Sequence, residues 1–160
     1  MNDRPQIDPE LDLVLERHVD VPTRLVWKAW TEPEHLVKWF TPAPWKTVEC
    51  QIDLRPGGRF RTVMQSPEGE VMPAGGGCYL EVVYERRLTF TDALLPGFRP
   101  VPESFFTATI LFEPEDGGTR YTAIAMHASP EGRRQNEEMG FLDGWGKALD
   151  QLVALAREMA

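Results

Sequence analysis

With 160 residues the chain has the size of a single domain, long enough to bury a core and to leave a pocket within it. Its net charge of −8, with Arg86-Arg87 and Arg133-Arg134 as the only adjacent basic pairs, excludes the clustered Lys and Arg surface that nucleic-acid binding requires. No stretch of about 18 apolar residues occurs, so no membrane-spanning helix is expected.

Residues 1–10 are polar, carry Pro5 and Pro9, and lack the apolar core of a signal peptide; they read as a flexible lead-in to one domain spanning 11–160. Leu11, Leu13 and Leu15 alternate with Asp12, Val14 and Glu16, which predicts a strand to about Val19. Val21-Pro22 then opens a short helix with Val26, Trp27 and Trp30 on its apolar face. Thr31 and Glu34 have the spacing of a capping box, predicting a second short helix that carries Leu36, Val37, Trp39 and Phe40 and stops at Pro42 and Pro44.

Val48, Cys50, Ile52 and Leu54 alternate with Thr47, Glu49, Gln51 and Asp53, and Phe60, Thr62 and Met64 alternate with Arg59, Arg61 and Gln65. Between them stands Pro56-Gly57-Gly58, where proline presets a turn and glycine admits positive φ, so the segment predicts a β-hairpin. A turn at Pro67 to Gly69 and a strand break at Gly75 to Gly77 follow. Cys78 to Val83 and Leu88 to Thr91 read as strands, Leu95 to Pro102 as a Pro/Gly loop, and Phe105 to Phe112 with Arg120 to Met126 as a second hairpin.

Ser129-Pro130 supplies an N-cap and a first-turn proline. Phe141, Trp145, Leu149, Leu152 and Ala156 continue at spacings of three and four, predicting one amphipathic helix of about seven or eight turns. Gly140, Gly144 and Gly146 weaken it by about 1 kcal/mol each relative to alanine. Either close approach or room above a pocket requires them, or the helix begins or kinks near Gly144. The expected fold is α+β: a curved antiparallel sheet gripping a long C-terminal helix, with two short helices after the first strand.

Val21 to Trp27, Trp39-Phe40, Asp53 to Arg61, Pro67 to Gly69, Leu80 to Val83, Arg87 to Thr91, Gly118 to Arg120 and Gly140 to Trp145 occur in the order of a known pattern. Over Leu11 to Arg157 the chain resembles the START-like, or Bet v 1-like (SRPBCC), superfamily. Within it, the branch is the one named for the C-terminal domain of the activator of the ninety-kilodalton heat-shock-protein ATPase. The resemblance implies a helix-grip fold whose cavity takes lipids, sterols, polyketides and other hydrophobic ligands, with aromatase/cyclases among its members. The eukaryotic co-chaperones that give the branch its name carry a separate N-terminal domain that this sequence does not match.

The residues themselves contain no nucleophile elbow, zinc-protease motif, Walker loop or dinucleotide fingerprint, and no cofactor is expected. His18, His35 and His127 stand far apart in sequence, so no metal site is expected either. Strand parity places Tyr121, Ala123, Ala125 and His127 on one face, Arg120, Thr122 and Ile124 on the other. On an inner face, two alanines between a phenol and an imidazole either leave volume for a ligand or admit tight helix packing.

The same parity nominates Trp39, Phe40, Trp45, Phe60, Met64, Cys78, Phe90, Phe106, Ile110, Phe141 and Trp145 as pocket walls, each also interpretable as plain core. His127 is the candidate general acid/base and Tyr121 the candidate oxyanion donor. Glu81 lies opposite in parity to Leu80 and Val82, which predicts a surface salt bridge. Cys50 and Cys78 lack CxxC spacing and read as buried free thiols in a cytoplasmic protein, a disulfide remaining open only if their strands are suitably placed.

Three functions follow. The leading one is capture of a small hydrophobic ligand; the others are a cyclase, dehydratase or hydrolase acting on such a ligand, and a co-chaperone-like protein-interaction domain. Neither nucleic acid nor membrane is expected as a partner, and a homodimer is compatible with the sequence.

Overall fold

The computed structural model describes residues 4–160. In chain order the elements are β1 (Asp12–Val19), α1 (Thr23–Thr31), α2 (Pro33–Leu36), β2 (Lys46–Ile52), β3 (Arg59–Gln65), β4 (Gly75–Val83) and β5 (Arg87–Thr91). There follow β6 (Leu94–Leu95), β7 (Arg99–Pro100), β8 (Thr107–Glu115), β9 (Gly118–Met126), α3 (Pro130–Glu138) and α4 (Phe141–Met159). Seven strands form one antiparallel sheet in the order β1-β9-β8-β5-β4-β3-β2, curled into a half-barrel, while β6 and β7 pair separately. The antiparallel meander around a C-terminal helix expected from periodicity, and the helix-grip fold implied by the resemblance, are thus present.

The inner face of the sheet, α1 and α4 enclose the core. Trp30, Leu36, Phe60, Tyr79, Leu88, Ile110, Phe112, Leu149 and Leu152 are each 2 % exposed or less. Burying each such side chain stabilises the fold by roughly 1.5–3 kcal/mol relative to leaving it exposed. Aromatic rings meet mostly edge to face: Trp30 with Trp39 at 4.9 Å, Phe40 with Phe60 at 5.7 Å, Phe60 with Phe90 at 4.8 Å.

Four local expectations are corrected. The capping box does not form: Glu32 is the N-cap of α2, and the Thr31 hydroxyl donates back to the Trp27 carbonyl at 2.8 Å, closing α1 instead. As a result α2 is a four-residue turn, and Trp39 and Phe40 follow it in irregular chain.

Gly75 to Gly77 do not break a strand but begin β4, pairing with Thr62, Arg61 and Phe60. A Cβ on Gly76 would stand 2.1 Å from the Phe60 carbonyl oxygen, and one on Gly77 2.1 Å from that of Thr91. The glycines let β4 approach the backbones of β3 and β5 more closely than a side chain would allow.

The C-terminal segment is two helices and not one of about seven or eight turns, with the break at Gly140, close to the alternative start near Gly144. Gly140 takes φ +92°, a left-handed conformation that ends α3 and starts α4 in a new direction. Ser129 does cap α3, accepting from Gly132 N–H at 3.1 Å, as expected. The Pro/Gly loop after β5 contains the small β6–β7 hairpin.

The polar lead-in is tied to the sheet within its described part: Arg4 lies 3.2 Å from the Glu16 carboxylate and 3.6 Å from that of Glu113. Among the described residues no helix is long and apolar enough to cross a membrane.

Candidate functional site

The inner face of the sheet presents Leu13 and Leu15 from β1, Tyr121, Ala123 and Ala125 from β9, and Ala108, Ile110 and Phe112 from β8. Phe90 and Leu88 continue it on β5, Tyr79 and Val82 on β4, Phe60 on β3, and Cys50 and Ile52 on β2. Of the residues nominated from sequence, Trp39, Phe60, Phe90, Ile110 and Ala123 join the main core cluster. Phe40, Phe106 and Trp145 pack against it half-buried. Ala125 and Phe141 form a smaller cluster with Leu13, and the Phe141 and Trp145 rings stack at 4.9 Å.

Three nominated walls lie elsewhere. Cys78, although fully buried, is on the opposite face from Tyr79, because β4 carries a bulge between Tyr79 and Glu81. One extra residue reverses parity on its N-terminal side and leaves Val82 in and Glu81 out, where Glu81 meets Arg87 at 3.3 Å. Met64 is 40 % exposed: β4 stops pairing with β3 at Thr62, so the end of β3 has β2 alone beside it apart from the Gln65–Val71 bridge. Trp45 is 38 % exposed in the turn before β2, outside the core. A second bulge, between Thr47 and Glu49, turns Val48 outward and Thr47 inward.

Tyr121 and His127 are both buried, and their polar atoms are engaged within the protein. Tyr121 Oη accepts from Trp30 Nε1 at 3.1 Å, and burial drives its pKa upward. His127 Nδ1 lies 2.7 Å from the Leu11 carbonyl oxygen, an acceptor only, so Nδ1 carries the proton. Nε2 then accepts from Asn136 Nδ2 at 3.0 Å. Six residues of extended strand separate the phenol from the imidazole, roughly 20 Å, too far to serve one reacting atom.

Tyr79 is the residue that sequence reasoning missed. It is 1 % exposed, stacks on Phe60 at 5.4 Å, and its hydroxyl has no hydrogen-bond partner among the described residues. Burial pushes its pKa up, and the neighbouring Cys50 sulfur adds to the effect. Cys50, half-buried on the edge strand, is itself raised from 9.0 to about 11 by burial. Knowledge of the β4 bulge alone would have exchanged Cys78 for Tyr79.

Helix α4 holds the chain that carries Trp39 and Phe40. Gln151 Nε2 donates to the carbonyls of Trp39 and Thr41 at 2.9 Å each, and its Oε1 accepts from Ala43 N–H at 2.9 Å. Lys147 Nζ donates to the Ala43 carbonyl at 2.6 Å. The Arg17 guanidinium, paired with Asp150 at 2.9 Å, donates to the Gly146 carbonyl at 2.7 Å. Among the described residues Glu32, Glu34 and His35 bring their ligand atoms within 4.8 Å of one another at the α1–α2 junction, with His35 Nδ1 3.0 Å from Glu32 Oε1.

Comparison with known proteins follows the same lines. A Nitrosomonas europaea protein of known crystal structure is 51 % identical, with a TM-score of 0.92 over 96 % of this chain and 98 % of that one. A Mycobacterium smegmatis protein is 30 % identical, with a TM-score of 0.76 over 91 % and 90 %. An AHSA1-like protein from Aeromonas hydrophila shares the fold at 21 % identity, with a TM-score of 0.69 over 93 % and 94 %. Among curated proteins no sequence matches the chain. The family model described as "Activator of Hsp90 ATPase homolog 1-like protein" matches residues 20–157, and the chain belongs to this family, within the SRPBCC, or Bet v 1-like, superfamily.

Proposed function

We propose that the protein captures a small hydrophobic molecule, ring-bearing or acyl, between the inner face of the sheet and α4, with one polar group of the ligand bonded to Tyr79. The observation that carries this is Tyr79: buried, its ring against Phe60, its hydroxyl without a partner among the described residues, beside the half-buried Cys50. Buried polar groups are nearly always paired, and an orphan on an apolar inner face is matched by a ligand that brings its own hydrogen-bonding group. Phe40, Phe106 and Trp145, half-buried at the border of the core, are the rings that move aside for entry. Capture rather than turnover is favoured because His127 and Tyr121 direct their polar atoms to internal partners.

The test is a thermal-shift screen of fatty acids, sterols, flavonoids and aromatic polyketides on the wild type and on Tyr79→Phe. A ligand at a hundred times its dissociation constant stabilises the fold by about 2.7 kcal/mol. The expected result is a shift confined to one chemical class and diminished in Tyr79→Phe. No shift across the panel, or a shift untouched by that substitution, overturns the proposal.

A further inference from the structure

Phe60 apart, the run from Asp53 to Arg61 lies outside the site above and packs against the β6–β7 hairpin. Gly57 N–H donates to the Tyr79 carbonyl at 2.8 Å, and Gly97 N–H donates to the Gly57 carbonyl at 2.8 Å. The Phe98 ring lies so close to Gly57 that a Cβ there would stand 2.7 Å from Phe98 Cε2. Phe98 itself adopts φ +64°, a left-handed conformation that bulky residues seldom take. The result of that disfavoured backbone is an aromatic ring left 50 % exposed.

Beside the ring opens a cleft of about 450 Å³, bounded by Asp53, Arg55, Gly57, Arg59, Gly97 and Phe98. A second hollow of about 310 Å³ adjoins it, sharing Arg59 and Pro96. The three arginines of this surface differ. Arg55 is neutralised by Asp53 at 2.8 Å, and Arg61 by Glu49 at 3.3 Å. Arg59 bonds the neutral amide oxygen of Gln51 at 3.1 Å and, among the described residues, pairs with no carboxylate. The cleft therefore sets an unneutralised guanidinium beside an exposed aromatic ring, on a chain of net charge −8.

We propose that this cleft is a second ligand site, separate from the interior, for a small planar aromatic carboxylate. The carboxylate pairs with the Arg59 fork, and the aromatic ring stacks on Phe98. The volume accommodates a molecule of one or two fused rings, and the guanidinium selects the anion over its neutral counterpart.

The experiment is a titration of the full chain with 2-naphthoate, followed by backbone and arginine side-chain nitrogen–proton NMR spectra, with neutral 2-naphthamide as the comparison. Saturable shifts centred on Gly57, Arg59, Gly97 and Phe98, absent with the amide and weakened by added salt, are expected. Arg59→Gln, at an exposed position, should weaken binding about tenfold or more, whereas the double substitution Asp53→Asn/Arg55→Gln, which removes both charges of an ion pair, should change it little. No saturable shift with naphthoate overturns the proposal. So do equal shifts with the amide, equal effects of Arg59→Gln and of the Asp53→Asn/Arg55→Gln pair, or shifts centred on Phe106 and Trp145.

Discussion

Asn136 donates its side-chain amide to His127 Nε2 at 3.0 Å, tying α3 to the end of β9 through a ring whose other nitrogen donates to the Leu11 carbonyl. Both residues are buried, at 5 % and 6 % exposure. Asn136→Ala leaves Nε2 buried without a donor, and the expected loss is about 1–2 kcal/mol in urea unfolding. The double variant with His127→Ala should lose less than the sum of the two single losses, by about 1 kcal/mol. Strict additivity would show that the bond contributes nothing.

The glycines around α4 divide by backbone conformation. Gly140 sits at φ +92°, so Gly140→Ala strains the break between α3 and α4 and should destabilise by about 1–2 kcal/mol. Gly144 is helical, and a Cβ there meets only Pro42 Cγ at 3.9 Å, an ordinary contact. Gly144→Ala should therefore stabilise by up to about 1 kcal/mol. Thermal unfolding of the two variants with opposite signs of shift is the expected outcome; matching signs would refute the distinction.

Those glycines also show what the sequence could and could not reveal. Apolar alternation gave the strands of β1, β5, β8 and β9 on their true faces, since a period of two survives wherever no residue is inserted. The bulges near Val48 and Leu80 add one residue without any compositional mark, which is why Cys78 stood in for Tyr79. A helix start or kink near Gly144 was one of the two readings open from sequence, but its true place at Gly140 was not legible, because a left-handed cap and a tolerated helical glycine share one letter. The clamp formed by Gln151 and Lys147, and the bond from Asn136, come from polar side chains indistinguishable in sequence from a solvated helix face.

Tyr79 supplies the next prediction. Its hydroxyl is buried and unpaired among the described residues, so Tyr79→Phe removes a desolvated polar atom while keeping the ring stacked on Phe60. The unliganded variant should be as stable as the wild type or more stable, by up to about 1–2 kcal/mol. Differential scanning calorimetry reads this directly, and a clear loss of stability would mean the hydroxyl is satisfied in solution.

Cys50 provides a pH signature of the same region. Burial raises its thiol from 9.0 to about 11, so folding favours the protonated form. Below pH 9 the thiol is neutral in both folded and unfolded chains and contributes no pH dependence. Between pH 9 and 11 only the unfolded chain releases this proton, and stability falls as pH rises through that window. Since the thiolate is the reactive species, iodoacetamide at pH 8 should modify Cys50 on the order of a hundredfold more slowly than free cysteine. The rate, followed by peptide mass mapping, should climb toward pH 11, while fully buried Cys78 stays unmodified until the protein unfolds. A rate that levels off near pH 9 would place Cys50 in water and remove it from the surroundings of Tyr79.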